Sequence, residues 1–277
     1  SDDVFAIFRR QFAYDHKPLN ERMESADSSR DDWVKERVSF DAAYNGPRML
    51  ADVYVPRRYA PPYQVVIFYP PGNALQLTSS ANVPTAIFDF MIKSGRAVIF
   101  PIYRGTYERG GGEVSSDYPE TTVKWRDYTI MWGKDYRRTI DYVESRPDLD
   151  AARVAYYGLS WGGAMGPMMG AIEPRTKVIV LNVGGLEFQR ALPEVDHINY
   201  PPRVTQPTLM LNGRYDHFFP VETSQQPLFN LLGTSTENKR HVIFEGGHMV
   251  PRPDVIRETL SWLDRYLGPP NTPGANR

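Results

Sequence analysis

From Trp33 onward, short runs of β-branched and aromatic residues alternate with longer segments whose apolar positions recur every three or four residues. A mostly parallel sheet with helices on both faces reads this way. Strands are expected at Val34–Phe40, Met49–Val55, Gln64–Tyr69, Ala97–Ile102, Arg153–Tyr157, Val178–Asn182, Thr208–Asn212 and His241–Phe244. The first two should pair antiparallel, because Tyr44-Asn45-Gly46-Pro47 is too short for a crossover and rich in turn residues. In Val123–Ser145 the side chains of Trp125, Tyr128, Trp132, Tyr136, Ile140 and Val143 form one helical stripe for the core, with Lys134, Arg137, Arg138 and Glu144 on the other face. The last helix should start near Pro253 and stop before Gly268-Pro269-Pro270. The expected fold is α/β, a doubly wound, mostly parallel eight-stranded sheet, with residues 1–277 as one domain. Residues 1–32 read as a helical and irregular arm whose Phe5, Phe8, Phe12 and Tyr14 pack on the body, and 268–277 as a disordered tail. The only segment available as a lid, Val183–Gln206, is too short for a cap domain.

At 277 residues the chain can bury a large core. Its 32 basic and 33 acidic residues are interspersed, for a net charge of −1, so nucleic acid and anionic membranes are not expected as partners. No apolar run approaches the roughly 20 residues of a membrane helix, and SDDVFAIFRRQF lacks the pattern of a secretion signal. A soluble, cytoplasmic protein is the expectation. The absence of cysteine removes disulfides, thiolate metal sites and a cysteine nucleophile from consideration.

Gly158-Leu159-Ser160-Trp161-Gly162 matches G-x-S-x-G, placed between a buried-strand pattern at Val154–Tyr157 and the start of a helix at Gly163-Ala164-Met165. A tight turn at the serine leaves no room for flanking side chains, and a helix N-terminus beneath it favours developing negative charge. The bland alternative is a glycine-rich turn with a capping serine. Pro167 is irregular in this setting and predicts a kink or a first-turn position. A serine needs a base to take its proton. Of five histidines, His248 lies in the glycine-loosened loop Glu245-Gly246-Gly247-His248 after the last strand, where it can lean over the strand ends. His16, His197, His217 and His241 are less well placed. Asp216, in the loop past Thr208–Asn212, is the carboxylate chosen to orient the imidazole, with Asp196 in reserve and Asp254 too close to the last helix. For the oxyanion, the backbone N–H of Trp161 is one donor and that of Asn73 the second, or Gly72 failing that, since Pro70 and Pro71 have none to give. Tyr103, Phe188, Phe218 and Phe219, with the Trp161 ring, are candidate walls for substrate, Tyr103 being as well suited to packing.

These residues resemble the α/β-hydrolase fold family, from about Trp33 to Leu267. Gly158–Gly162 is similar to its nucleophile elbow, Pro71-Gly72-Asn73 to its oxyanion loop, and Asp216 and His248 to its acid and base. Val38–Tyr44, Ser94–Val98 and Tyr103–Arg109 resemble dienelactone-hydrolase-like or prolyl-oligopeptidase-like domains, in particular the C-terminal domains of some bacterial serine/threonine kinases. The cysteine nucleophile of dienelactone hydrolases and the propeller of prolyl oligopeptidases have no counterpart here, and no kinase motif occurs.

Arg109-Gly110-Gly111-Gly112 is followed by no Lys-Ser/Thr and reads as a flexible loop, not a phosphate loop. Asp196-His197 and Asp216-His217 lack the spacing of metal-binding helices. No metal or cofactor is expected. The expected partner is a small-molecule ester, cleaved by a serine carboxylic-ester hydrolase with preference for short acyl chains. A peptidase or amidase using the same residues, and a non-catalytic sensor or interaction module, are the competing readings.

Overall fold

In a computed structural model, which describes residues 1–273, the centre of the chain is a nine-stranded sheet. Its strands are β1 (Arg22–Asp27), β2 (Trp33–Phe40), β3 (Met49–Pro56), β4 (Tyr63–Tyr69), β5 (Ala97–Ile102), β6 (Leu149–Leu159), β7 (Thr176–Asn182), β8 (Thr208–Gly213) and β9 (Lys239–Phe244), in the order β1-β2-β3-β5-β4-β6-β7-β8-β9. The first three strands and the β3–β5 pair are antiparallel, and all pairs from β5 to β9 are parallel. The fold is the α/β class expected, with one strand more. The extra strand, β1, is exposed along its whole length and carries Arg22, Glu24 and Asp27, charges that discourage edge-to-edge pairing. It lies in what the sequence presents as an irregular arm. Such a strand has no apolar face to announce it.

The period of two along the inner strands divides the core into two layers. In β4, Val65, Ile67 and Tyr69 face one side while Val66 and Phe68 face the other, and β5, β6 and β7 alternate in the same way. The first layer is covered by α3 (Val123–Ser145) and α4 (Trp161–Ile172), the second by α2 (Asp89–Lys93) and α6 (Arg252–Leu267). Two further α-helices are α1 (Asp2–Arg10) and α5 (Gln226–Leu231). Thr122 caps α3 by accepting from the Trp125 N–H at 3.1 Å, and all six residues of the expected α3 stripe are buried. Arg138, expected on the solvent face, is buried instead. Its guanidinium donates to the carbonyls of Lys17, Pro18 and Asp41 and so clamps the N-terminal arm to the body. Phe12 is fully buried, and with Phe5 it packs edge-on against Tyr200.

Pro167 sits inside α4, beyond its first turn, which excludes the first-turn position of the two alternatives. Two further expectations need correction. The start of the supposed tail is anchored: the Gln64 side chain donates to the carbonyls of Leu267, Gly268 and Pro269, and Asn271 donates to Pro62. Residues 274–277 lie outside the described residues. The triglycine loop, too, is tied at its first residue. Arg109 is buried and donates to Asp135 at 2.6 Å and to the Ile102 carbonyl at 2.7 Å, while Asp135 also accepts from the Arg104 N–H and the Tyr44 hydroxyl, each at 2.8 Å. This network joins the end of β5 to α3.

Both members of the Arg109–Asp135 pair are buried, so removing one leaves an uncompensated charge. We expect Asp135→Ala to cost about 3–5 kcal/mol in urea unfolding, whereas Asp254→Ala, at a half-buried surface pair with Arg257, should stay within about 0.5 kcal/mol. Equal effects would contradict this placement of the load.

Candidate active site

Sheet order fixes where a site can form. β5 lies on one side of β4 and β6 on the other, so the direction of winding reverses between β4 and β6. Crevices at the carboxyl ends of strands open at such a switch point. Tyr69, the last residue of β4, pairs with Gly158 near the end of β6, so the loops leaving both strands emerge side by side. The Gly162 N–H donates to the Pro70 carbonyl at 3.1 Å and ties them together.

Ser160 occupies the turn between β6 and α4 with φ +57° and ψ −109°, a conformation rare for a residue with a side chain. Its N–H donates to the Asn182 carbonyl at 2.9 Å. A Cβ on Gly158 would collide with the Gly162 backbone, and one on Gly162 with the Tyr69 backbone. Glycine is needed at both positions for the turn to close.

The side chains of Ser160, His248 and Asp216, separated in that order by 88 and 32 positions in sequence, form one hydrogen-bonded line. His248 Nε2 is 2.9 Å from Ser160 Oγ, and His248 Nδ1 is 2.8 Å from Asp216 Oδ2. Because a carboxylate accepts only, Nδ1 carries the proton donated to Asp216 and Nε2 is left to accept from the serine hydroxyl. The other Asp216 oxygen accepts from the N–H groups of Phe218 and Phe219 at 2.9 and 3.2 Å, which fixes the buried carboxylate in place. β8 and β9 bring the two loops together: Gly213 pairs with Phe244, and the N–H groups of Arg214 and Tyr215 each donate at 2.8 Å to the carbonyls of Phe244 and Gly246. The alternatives are engaged elsewhere. Asp196 pairs with Arg190 at 2.6 Å and Asp254 with Arg257 at 2.7 Å. His241 lies beside Asn212, with burial holding its imidazole down at about 4, and burial holds the enclosed His197 down to about 4 as well.

Trp161 is the first residue of α4 and Asn73 the second of the short 3-10 turn Gly72–Leu75, so their N–H groups belong to first turns, which have no intrahelical acceptor. The Trp161 ring is not a wall of the site. It is fully buried, edge-on to Tyr69 and Trp132 at 4.9 and 4.8 Å. Tyr103 is likewise fully buried, its ring 4.1 Å from that of Tyr69, and belongs to the packing beneath the turn. Both errors have one cause: a large aromatic at a strand end serves core and cleft equally well, and sequence does not say which way it turns. Phe219 is buried with its ring centroid 6.1 Å from that of His248, Phe218 is exposed with its edge on His248 at 4.8 Å, and Phe188 is exposed. The segment between β7 and β8 is less of a lid than its length suggests. Its 3-10 turns at Pro193–Val195, His197–Asn199 and Pro201–Arg203 pack against α1, α3 and α4.

Two carboxyl groups were not anticipated. Asp117, in the loop after β5, lies against Gly72, where a Cβ would overlap its carboxyl. Burial raises its pKa, against opposing pulls from a backbone hydrogen bond and from the His248 imidazole. Glu187, in the loop after β7, is pushed up to about 8 by burial and by the charge of Asp117. No sequence signal distinguishes these two from solvated loop acids. Among the described residues no group of three or more His, Asp or Glu is arranged to hold a metal, and no helix is long and apolar enough to cross a membrane. A concavity of about 720 Å³ between Tyr14, Lys17, Asp41 and Lys134 involves none of these site residues.

No family model matches the chain. An uncharacterized protein of Mycobacterium tuberculosis, found in two strains, is 26% identical over 149 residues, which cover 48% of this chain. The match takes in about half the length of that relative, 51%. Among solved structures, the acetyl xylan esterase from Paenibacillus sp. R4 superposes with a TM-score of 0.67 at 19% identity, covering 96% of this chain and 93% of its own. A cold-adapted esterase from an Arctic intertidal metagenomic library gives a TM-score of 0.69 at 20% identity over 91% of this chain and 100% of its own. The glucuronoyl esterase from Solibacter usitatus gives 0.62 at 15% identity, covering 95% and 91%. The chain has the α/β-hydrolase fold.

The state of Glu187 sets a pH dependence of stability. Its carboxyl titrates near 4.5 in an unconstrained chain and near 8 in the fold. Between those values the unfolded chain has lost this proton and the folded one keeps it, so the contribution is full below the lower value and is lost as pH rises to the upper. Glu187→Gln should therefore raise Tm relative to wild type by more at pH 8.5 than at pH 5, by about 2 °C or more. A pH-independent difference in thermal melts would contradict the assignment.

Proposed function

We propose that this protein is a serine carboxylic-ester hydrolase acting on short-chain esters through an acyl-enzyme. The observation that carries the reading is the placement of His248, with one ring nitrogen on Ser160 Oγ at 2.9 Å and the other on Asp216 at 2.8 Å. A neutral imidazole held in that tautomer can take the serine proton as Oγ attacks the ester carbonyl, and the carboxylate stabilises the imidazolium that results. The N–H groups of Trp161 and Asn73 are the donors for the tetrahedral oxyanion, aided by the N-terminus of α4. His248 then gives the proton to the departing alkoxide. In the second half it activates a water against the acyl-serine, regenerating Ser160 and releasing the acid.

The fold likeness to esterases is compatible with this chemistry. The preference for short acyl groups rests on the absence of a cap domain among the described residues and on the commitment of much of the β7–β8 segment to packing. A cleft of about 340 Å³ adjoins Asn73, lined by Pro71, Leu77, Val83, Ile87 and Tyr107, and offers room for a small acyl group.

Turnover of p-nitrophenyl acetate should be lost in Ser160→Ala and fall about 10⁴-fold in kcat in Asp216→Asn, where the tautomer of His248 is no longer fixed. Comparable rates for wild type and Ser160→Ala would refute the proposal. Across p-nitrophenyl esters of increasing chain length, kcat/KM should peak at two to four carbons, since the segment between β7 and β8 packs on the body and encloses no longer chain. A peak at long chains would contradict the acyl assignment.

A further inference from the structure

With no cap domain among the described residues to close over it, an acyl chain on Ser160 is enclosed by whatever lines the cleft of about 340 Å³ beside Asn73. The cleft starts at the Ser160 turn. Its lining begins with Pro71 and Asn73, and the Gly162 N–H holds the adjoining Pro70 carbonyl at 3.1 Å. From there the lining runs along one continuous stretch, residues 71–87, with a single exception. Tyr107 comes from another loop, the one after β5, and completes the enclosure. It is held there against its own backbone preference. Its φ is +44°, in the left-handed region where a bulky residue is an outlier. Such a conformation persists only where its surroundings over-determine it, and here they do so from both sides. Before it, the N–H and hydroxyl of Thr106 donate to the Tyr103 carbonyl at 3.0 and 2.8 Å. After it, the Glu108 carboxylate accepts from the N–H and hydroxyl of Ser80, both at 3.0 Å, and from Arg37 at 3.2 Å, while Arg109 is fixed by Asp135 and the Ile102 carbonyl. The Tyr107 ring is buried and meets that of Phe100 edge-on at 5.7 Å. Because Ser80 lies within the stretch that forms the rest of the cleft, its bonds to Glu108 tie the two parts of the lining together.

We propose that Tyr107 is the specificity-determining residue of this site, closing the cleft so that only a short acyl group fits. The assignment rests on the serine-hydrolase reading and deepens it. A packed ring on a tethered backbone is not free to swing aside for a longer chain, as an exposed side chain would be. Strained backbone conformations gather at ligand clamps for the same reason: the surroundings that hold the strain also hold the side chain still. The strain gives the position a distinctive response to substitution. Glycine adopts positive φ readily, so Tyr107→Gly removes the wall without opposing the local backbone, whereas Tyr107→Trp keeps the wall and thickens it.

The test measures kcat/KM across p-nitrophenyl esters from acetate to decanoate for wild type, Tyr107→Gly and Tyr107→Trp, with thermal melts to establish that each variant is folded. One methylene accommodated in an apolar pocket changes kcat/KM by about tenfold or more. The ratio of octanoate to acetate should therefore rise at least about tenfold in Tyr107→Gly, with the optimum moved to longer chains. In Tyr107→Trp the ratio of butyrate to acetate should fall below that of wild type. This second variant opens no space and keeps the question answerable should Tyr107→Gly fail to fold. A folded variant that keeps the wild-type profile overturns the inference, and so does an equal loss of kcat/KM at every chain length, which would mark Tyr107 as structural alone. In either case a wild type that cleaves esters leaves the hydrolase reading standing. If wild type cleaves no ester at all, both fall.

Discussion

The left-handed backbone at Ser160 is the constraint on which the site depends. A side chain at φ +57° and ψ −109° costs on the order of 1–3 kcal/mol and persists only where its surroundings over-determine it. They do so here through close backbone approaches. β6 ends against α4 with Gly158 touching Gly162, Gly162 touches the end of β4, and Gly163 meets Gly184 at the end of β7. Each of these contacts excludes even a methyl group. The serine is thereby lifted out of the turn, with the helix N-terminus beneath it and the β4 loop at its side.

The same sheet that imposes the turn also gathers its partners. Parallel strands end on one edge, so the loops after β4, β6, β8 and β9 meet there, and Asp216 and His248 need only short excursions to reach Ser160. Rigidity comes from below. Tyr69, Tyr103, Trp132 and Trp161 form a packed aromatic group under the turn, and the Arg109–Asp135 pair joins the neighbouring strand end to α3. Positioning within a few tenths of an ångström is what separates a serine beside a histidine from an activated nucleophile.

Much of this was legible in the chain. Inner strands are buried on both faces and read as continuous apolar runs, which is why Ala97–Ile102 coincides with the observed strand, and the α3 stripe follows from a spacing of three and four that no strand shows. Glycine placement made the Ser160 turn visible, and strand-end loops left few choices for its partners. What escaped the reading lacked a pattern. β1 has no buried face, so its pairing with β2 comes from backbone hydrogen bonds that any sequence can make. Trp161 and Tyr103 show that an aromatic at a strand end can turn inward as easily as outward. Asp117 and Glu187 owe their altered titration to burial, joined at Glu187 by the charge of Asp117, relations between loops distant in sequence. Arg138 was misplaced because a cation normally seeks water, and here two backbone carbonyls of the arm and that of Asp41 take the place of water.

The central claim is that Ser160 is made nucleophilic by His248. It is tested most directly by treating wild type and His248→Gln with a fluorophosphonate and following the modified peptide by mass spectrometry. The account predicts a single adduct on Ser160 in wild type, formed at least about a hundredfold more slowly without the imidazole. An unmodified Ser160, or labelling at the same rate in both proteins, would contradict it.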